Sequence, residues 1–298
     1  MKDNVLKIKT RYDPTPWIAP KQETIKLLTT GDWHTLDKWG ICPPNFKTKE
    51  GTPLTQHPVQ EIVYNECVEI CKNIGHVNIA ILMGDMAEGK QAKSFGVPLM
   101  DADTDNQVNA AFQFYEETIH KYCTPDIVLA VMGTPYHRAV GIGGDLDYQV
   151  ALRISNIDDV IFGQPNLNFL LGKDKVRWNL QHRISIARVN RMVPFEKTFR
   201  LYARQEAESW MGSFDRIPDI IVRAHRHDPQ LPFGIGQGRR WAMTTPPLKV
   251  VDEYASIMAY PVGPCSVGLM TVTQHGLGDF KGKYYPIKVE SDKVEVIR

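Results

Sequence analysis

Three short apolar runs, Thr24–Thr30, Val77–Met83 and Ile127–Met132, each lead directly into a glycine, at Gly31, Gly84 and Gly133. Between the first two, apolar residues at Val59, Ile62, Val63, Cys67, Ile70, Cys71 and Ile74 repeat with a helical period. Between the second and third, a helix is predicted from a cap at Thr104, Asp105 or Asn106 to about Tyr122. Apolar runs of strand length separated by helices predict parallel β-α-β units, with strands buried on both faces. In open α/β sheets the ligand site lies beyond the carboxyl ends of the strands. The three glycine-led turns are therefore where chemistry is expected.

The rest of the chain fits around that frame. Residues 1–24 hold Pro14, Pro16 and Pro20 around Trp17 and read as an extended arm packing over the body. Residues 35–58 form a long loop near the first turn, rich in proline and polar groups, of a length that is often functional. Asp145 begins another helical pattern through Leu146, Val150 and Ile154. Beyond Ile157, runs at 166–171 and 175–181 read as antiparallel strands and Phe199–Met211 as a helix. Asp219–Arg223 reads as a strand, and further strand-like segments lie at 240–244, 266–273, 283–289 and 293–297. No shift in composition marks a boundary, so residues 1–298 are read as one α/β domain of two stacked sheets covered by helices.

Composition narrows the function classes. A net charge of +1 gives no global field to draw the chain to a long polyanion or an acidic membrane. No apolar run approaches the ~20 residues that span a bilayer, and the first residues lack the apolar segment of a signal peptide. Five cysteines without a CxxC spacing predict a reducing compartment, hence the cytoplasm, with Cys67 and Cys71 as core or surface thiols.

The turns carry metal-ligating side chains. Asp32 and His34 follow Gly31, and strand alternation would put them on one side of the backbone, with Trp33 opposite in the core. Asp85 follows Gly84, His137 follows Gly133 by four, and His182 ends the 175–181 run. His225 and His227 end the 219–223 run with the same two-residue spacing as Asp32 and His34. A lone histidine at a strand end is usually a satisfied core or surface residue. Five of nine histidines falling at such junctions is hard to call accidental, and mixed carboxylate and imidazole donors suit first-row metals.

Read in order, Gly31-Asp32-Trp33-His34, Gly84-Asp85, Gly133-Thr134-Pro135-Tyr136-His137, His182 and Ala224-His225-Arg226-His227 resemble the calcineurin-like metallophosphoesterases. The likeness covers residues 25–230, and Gly143-Gly144-Asp145 and Thr244-Thr245-Pro246-Pro247 are similar to a phage and prophage subset. The resemblance implies a four-layer αββα sandwich of two mixed sheets flanked by helices. It implies two divalent cations, Mn²⁺ first, with Fe, Zn²⁺, Co²⁺ and Ni²⁺ as alternatives. Asp32, His34 and His227 would hold one, His182 and His225 the other, and Asp85 would bridge them through a water that attacks phosphorus in line. His137 would stand at the leaving group as a catalytic residue. Arg138, Arg226 and Tyr136 are the candidate substrate contacts. The family's asparagine ligand is replaced by Thr134, a poorer donor, and Pro135 and Tyr136 lengthen the turn before His137.

The substrate implied is a phosphate ester, with DNA, RNA or a nucleotide ahead of another small molecule. The alternative from another class is a metal-binding scaffold on a degenerate fold. Homo-oligomerisation is left open. Glu88 reads as a solvated loop carboxylate ahead of a residue orienting a ligand, and the Arg183, Arg188 and Arg191 cluster mainly as surface charge. Gly234-x-Gly236-x-Gly238 reads as a turn, and Asp101, Asp103 and Asp105 as helix capping.

Overall fold

The three apolar runs form neighbouring parallel strands in a computed structural model. It describes residues 5–10, 15–20, 22–90, 99–134, 145–182, 197–198, 217–225, 227, 229–235, 240–250, 267–276 and 279–289. The strands in chain order are β1 (Leu6–Thr10), β2 (Trp17–Ile18), β3 (Ile25–Thr30), β4 (Ile79–Leu82), β5 (Ile127–Val131), β6 (Val160–Gln164) and β7 (Leu167–Leu171). They continue as β8 (Val176–Gln181), β9 (Ile220–Arg223), β10 (Gln230–Ile235), β11 (Arg240–Thr244), β12 (Gly268–Gln274) and β13 (Phe280–Pro286). The helices are α1 (Pro58–Ile74), α2 (Thr104–Tyr115), which continues as a π-helical stretch over Glu116–Cys123, and α3 (Leu146–Ile154).

One sheet has the order β1-β6-β5-β4-β3-β12-β13, parallel from β1 to β3 and antiparallel at β12 and β13. The other has the order β10-β11-β9-β8-β7-β2, also mixed. Alternation decides what lies on each face. Leu27, Ile79, Ile81, Leu129 and Val131 point from the first sheet into a core shared with Phe169, Trp178, Leu180, Ile220 and Val222 of the second. Their neighbours Leu28, Ala80, Leu82, Val128 and Ala130 point the other way, onto Val63, Cys67, Phe114 and Val150 of the helices. The described residues thus build a helix layer on two stacked mixed sheets. The helix expected over Phe199–Met211 lies outside the described residues, as does the strand at 293–297. Among the described residues, no helix is long and apolar enough to cross a membrane.

Several expectations are corrected. The N-terminal arm does not simply lie over the body: β1 pairs in parallel with β6 at the edge of one sheet, and β2 with β7 at the edge of the other. The cap of α2 is Asp103, one of the three aspartates read as helix capping and one residue before the Thr104–Asn106 candidates; its carboxylate accepts from Asp105 N at 2.8 Å and Asn106 N at 3.4 Å. The last described strand runs over Phe280–Pro286, beginning and ending three residues before the expected 283–289. The unforeseen β10 contains Pro232 and Gly234, which argue against a central strand, and it lies at a sheet edge with a register shift. Cys67 and Cys71 are core thiols, and Trp33 is fully buried with its ring edge-on to Phe114 at 5.0 Å.

Candidate metal centre

At the end of β3 the chain leaves the sheet before it reaches its first ligand. Asp32 and His34 take φ values of 50° and 47°, so the pair shares a side through two left-handed residues flanking Trp33 rather than through strand pleating. The turn runs alongside the one after β4: Asp32 N donates to Gly84 O, His34 N to Asp85 O and Thr35 N to Met86 O, at 3.0–3.1 Å. Asp85 has φ 50°, and after β9, His225 and His227 have φ 68° and 50°. Five of these side chains therefore sit on backbone that L-residues other than Asn, Asp and His rarely adopt. Such conformations cost about 1–3 kcal/mol each and gather at functional sites.

The turns bring their side chains into two overlapping groups. Asp32, Asp85, His182 and His225 each offer an atom within 4.8 Å of the others, and so do Asp32, His34 and His227. Asp32 Oδ1 lies 3.3 Å from His227 Nε2, 3.7 Å from His182 Nε2 and 3.8 Å from His34 Nε2. Asp85 Oδ2 lies 2.9 Å from His182 Nε2 and 3.9 Å from His225 Nδ1. The resemblance placed the shared carboxylate at Asp85; the carboxylate common to both groups is Asp32. Asp32, Asp85, His34 and His182 are buried, whereas the side chains of His225 and His227 are 33% and 25% exposed, so the cluster opens on their side.

Groups behind the cluster aim it. Glu88 is fully buried and its Oε2 pairs with His34 Nδ1, which overturns its reading as a solvated carboxylate. His182 Nδ1 faces Met83 O at 2.5 Å. Both rings consequently present Nε2 to the centre. Thr134 bonds to Asp85: its N–H donates to Oδ1 at 2.6 Å and its hydroxyl approaches both oxygens at 3.1–3.2 Å. Thr134 thus orients a carboxylate. Asp147, unforeseen in the sequence, accepts from the N–H groups of Met86, Gly133 and Asp85 at 2.8, 2.7 and 3.2 Å. Its only sequence trace was the Gly143-Gly144-Asp145 lead-in to α3. Gly133 is required where these groups meet, since a Cβ there would lie 2.0 Å from Asp85 Oδ1 and 2.4 Å from Asp85 N.

Protonation follows this geometry. Burial alone would depress His34, but the Glu88 charge, the bond to Glu88 and the nearby Asp32 carboxylate raise it to about 10. His182 is likewise depressed by burial and raised to about 9 by Asp85 and Asp32. Burial and the His182 charge push His225 down to about 4, leaving a neutral imidazole ready to donate a lone pair. Asp32 is raised by burial, yet His182 and His227 hold it well below the usual carboxylate range.

The donor set fits a metal. Asp32 Oδ1 and His182 Nε2 are buried and face each other across the cluster at 3.7 Å. These carboxylate and imidazole atoms can hold a metal ion, and their mixed O/N character suits first-row divalent cations. His137, Arg138, Tyr136, Arg226, Arg183, Arg188 and Arg191 lie outside the described residues. No family model matches this chain, and no characterised protein matches it by sequence.

Proposed function

We propose that the chain is a metal-dependent phosphoric ester hydrolase of the calcineurin-like type, with the two groups holding a pair of divalent cations, Mn²⁺ foremost. The observation that carries this reading is the convergence of Asp32, His34, Asp85, His182, His225 and His227, from four separate strand-end turns, into one buried cluster. Five of the six lie on left-handed backbone, a cost that folding alone does not require. Bound cations would supply Lewis acidity toward a phosphoryl oxygen and make water acidic enough to ionise near neutrality.

The protein's own groups divide the remaining work. Asp32 and Asp85 provide anionic oxygens, and Thr134 and the Asp147-braced backbone fix Asp85. His225 and His227 line the open side, from which an ester would approach. His137 would give a proton to the leaving oxygen, and Arg138, Arg226 and Tyr136 would contact the phosphate. A phosphodiester of nucleic acid or a nucleotide is the preferred substrate class, ahead of a small-molecule ester. The second reading, a metal-binding scaffold, draws on Thr134, whose hydroxyl is directed to Asp85.

Hydrolysis of bis-p-nitrophenyl phosphate and p-nitrophenyl phosphate with added Mn²⁺ tests the proposal, with His225→Gly as control. Glycine keeps φ 68° without strain while removing the ligand. Activity in the wild type and its loss in the variant are expected. Equal rates would end the catalytic reading, and Mn²⁺ uptake without turnover would favour the scaffold. Labelled DNA and RNA at low salt then decide between a polymer and a small molecule.

A further inference from the structure

We infer that Lys249 is a positioning residue for one metal position only, the one formed by Asp32, His34 and His227. The inference rests on the metal-binding part of the reading above and is independent of the reaction. Lys249 follows the Thr244–Pro247 segment singled out in the sequence, in the run Pro246-Pro247-Leu248-Lys249-Val250-Val251. A lysine in so apolar a run should lie at the surface, yet this one is buried, with 7% of its side chain exposed.

What it touches explains its place. Lys249 Nζ lies 3.2 Å from Asp37 Oδ2 and 3.4 Å from Glu88 Oε1. The other oxygen of Glu88 pairs with His34 Nδ1, so ammonium, carboxylate and imidazole form one line ending at the metal-facing Nε2. Asp37 N donates to His34 O at 3.0 Å, tying the second carboxylate to the same turn. The backbone of the same segment reaches the other ligand, with Lys249 N and Leu248 N donating to Asp32 O at 3.0 and 3.2 Å. The backbone N–H of residue 249 holds Asp32, the carboxylate both positions share, and Lys249→Met keeps that bond; the Lys249 side chain instead reaches the His34 turn through Glu88 and Asp37.

The other position is held differently. His182 faces a backbone carbonyl, and Asp85 is fixed by Thr134. An imidazole whose far N–H meets a carboxylate is a stronger metal donor than one that meets a carbonyl. Lys249 keeps that carboxylate aimed. A space-filling role alone would be met better by methionine, since removing an ammonium from water is expensive unless it is paired.

Calorimetric titration of the full chain with Mn²⁺ tests this, comparing wild type, Lys249→Met, Glu88→Gln and the double variant. His227→Gly identifies which binding step belongs to the Asp32/His34/His227 position. Lys249→Met should weaken that step about 10–100-fold and leave the other unchanged. Glu88→Gln should weaken the same step from the opposite end of the line, and the double variant should be no worse than Glu88→Gln alone. Glu88→Gln keeps the test usable if Lys249→Met fails to fold. Equal weakening of both steps, no weakening of either, or additive losses in the double variant would each overturn the inference. Absence of Mn²⁺ uptake by the wild type would instead defeat the metal reading on which it rests.

Discussion

Loading metal onto the cluster at pH 7 should expel about two protons, one from His34 and one from His182. Both rings aim Nε2 at the centre, and both are held protonated by buried carboxylates, with pKa values raised to about 10 and about 9. Removing a proton from a group of pKa about 10 at pH 7 costs about 4 kcal/mol, and from one of about 9 about 3 kcal/mol. Apparent metal affinity should therefore rise about tenfold per pH unit at each position, levelling off as pH passes 9 to 10. His225, lowered to about 4, adds nothing to this release. Without metal the sign reverses. A histidine whose folded pKa exceeds its unfolded value of about 6.5 stabilises the fold fully below that pH, and the gain is lost as pH rises through 9 to 10. The metal-free chain should thus weaken with pH over the range in which it binds metal better. Titration with Mn²⁺ in two buffers of different ionisation enthalpy counts the protons. A count near zero at pH 7, or an affinity flat from pH 6.5 to 8.5, would refute the protonation scheme.

Three further substitutions probe the supports. Gly133→Ala puts a methyl 2.0 Å from Asp85 Oδ1 and 2.4 Å from its backbone nitrogen; a destabilisation of about 1–3 kcal/mol in a denaturant midpoint and loss of metal uptake are expected. Asp147→Ala removes the acceptor of three buried N–H groups, those of Asp85, Met86 and Gly133. Since one orphaned group costs about 1–3 kcal/mol, thermal or chemical unfolding should show a loss of at least that size. Asp103→Ala deletes the cap of α2 and should cost about 1 kcal/mol while leaving metal stoichiometry unchanged.

The sequence disclosed what depends on local pattern. β3, β4 and β5 and the helices between them were legible because burial on both faces demands continuous apolar runs, and helical periodicity is local. Asp32, His34, Asp85, His182, His225 and His227 were legible because each ends such a run. What was hidden depends on contacts between distant segments. Lys249 reaches Glu88 and Asp37 across more than 150 residues of chain. Asp147, 62 positions from Asp85, looks in sequence like any acidic residue in a first helical turn. β2 is two residues long, and only its pairing with β7 makes it a strand.

Left-handed backbone accounts for what neither pattern nor packing explains. Strand alternation was expected to align Asp32 with His34, yet β3 ends at Thr30 and both ligands turn at positive φ. An extended strand would carry them away from the Asp85 turn along the sheet. The left-handed turns keep all the ligand-bearing loops within one small volume above the strand ends. Strain at five residues and the burial of Asp32 and Asp85 both oppose folding, and the protons on His34 and His182 offset only part of that charge. A divalent cation would neutralise the same carboxylates with more charge and shorter bonds. Saturating Mn²⁺ should therefore raise the unfolding temperature of the wild type, and should do so less for Asp32→Asn, which weakens the one carboxylate common to both groups. An equal rise in both proteins would mean that Asp32 is not shared.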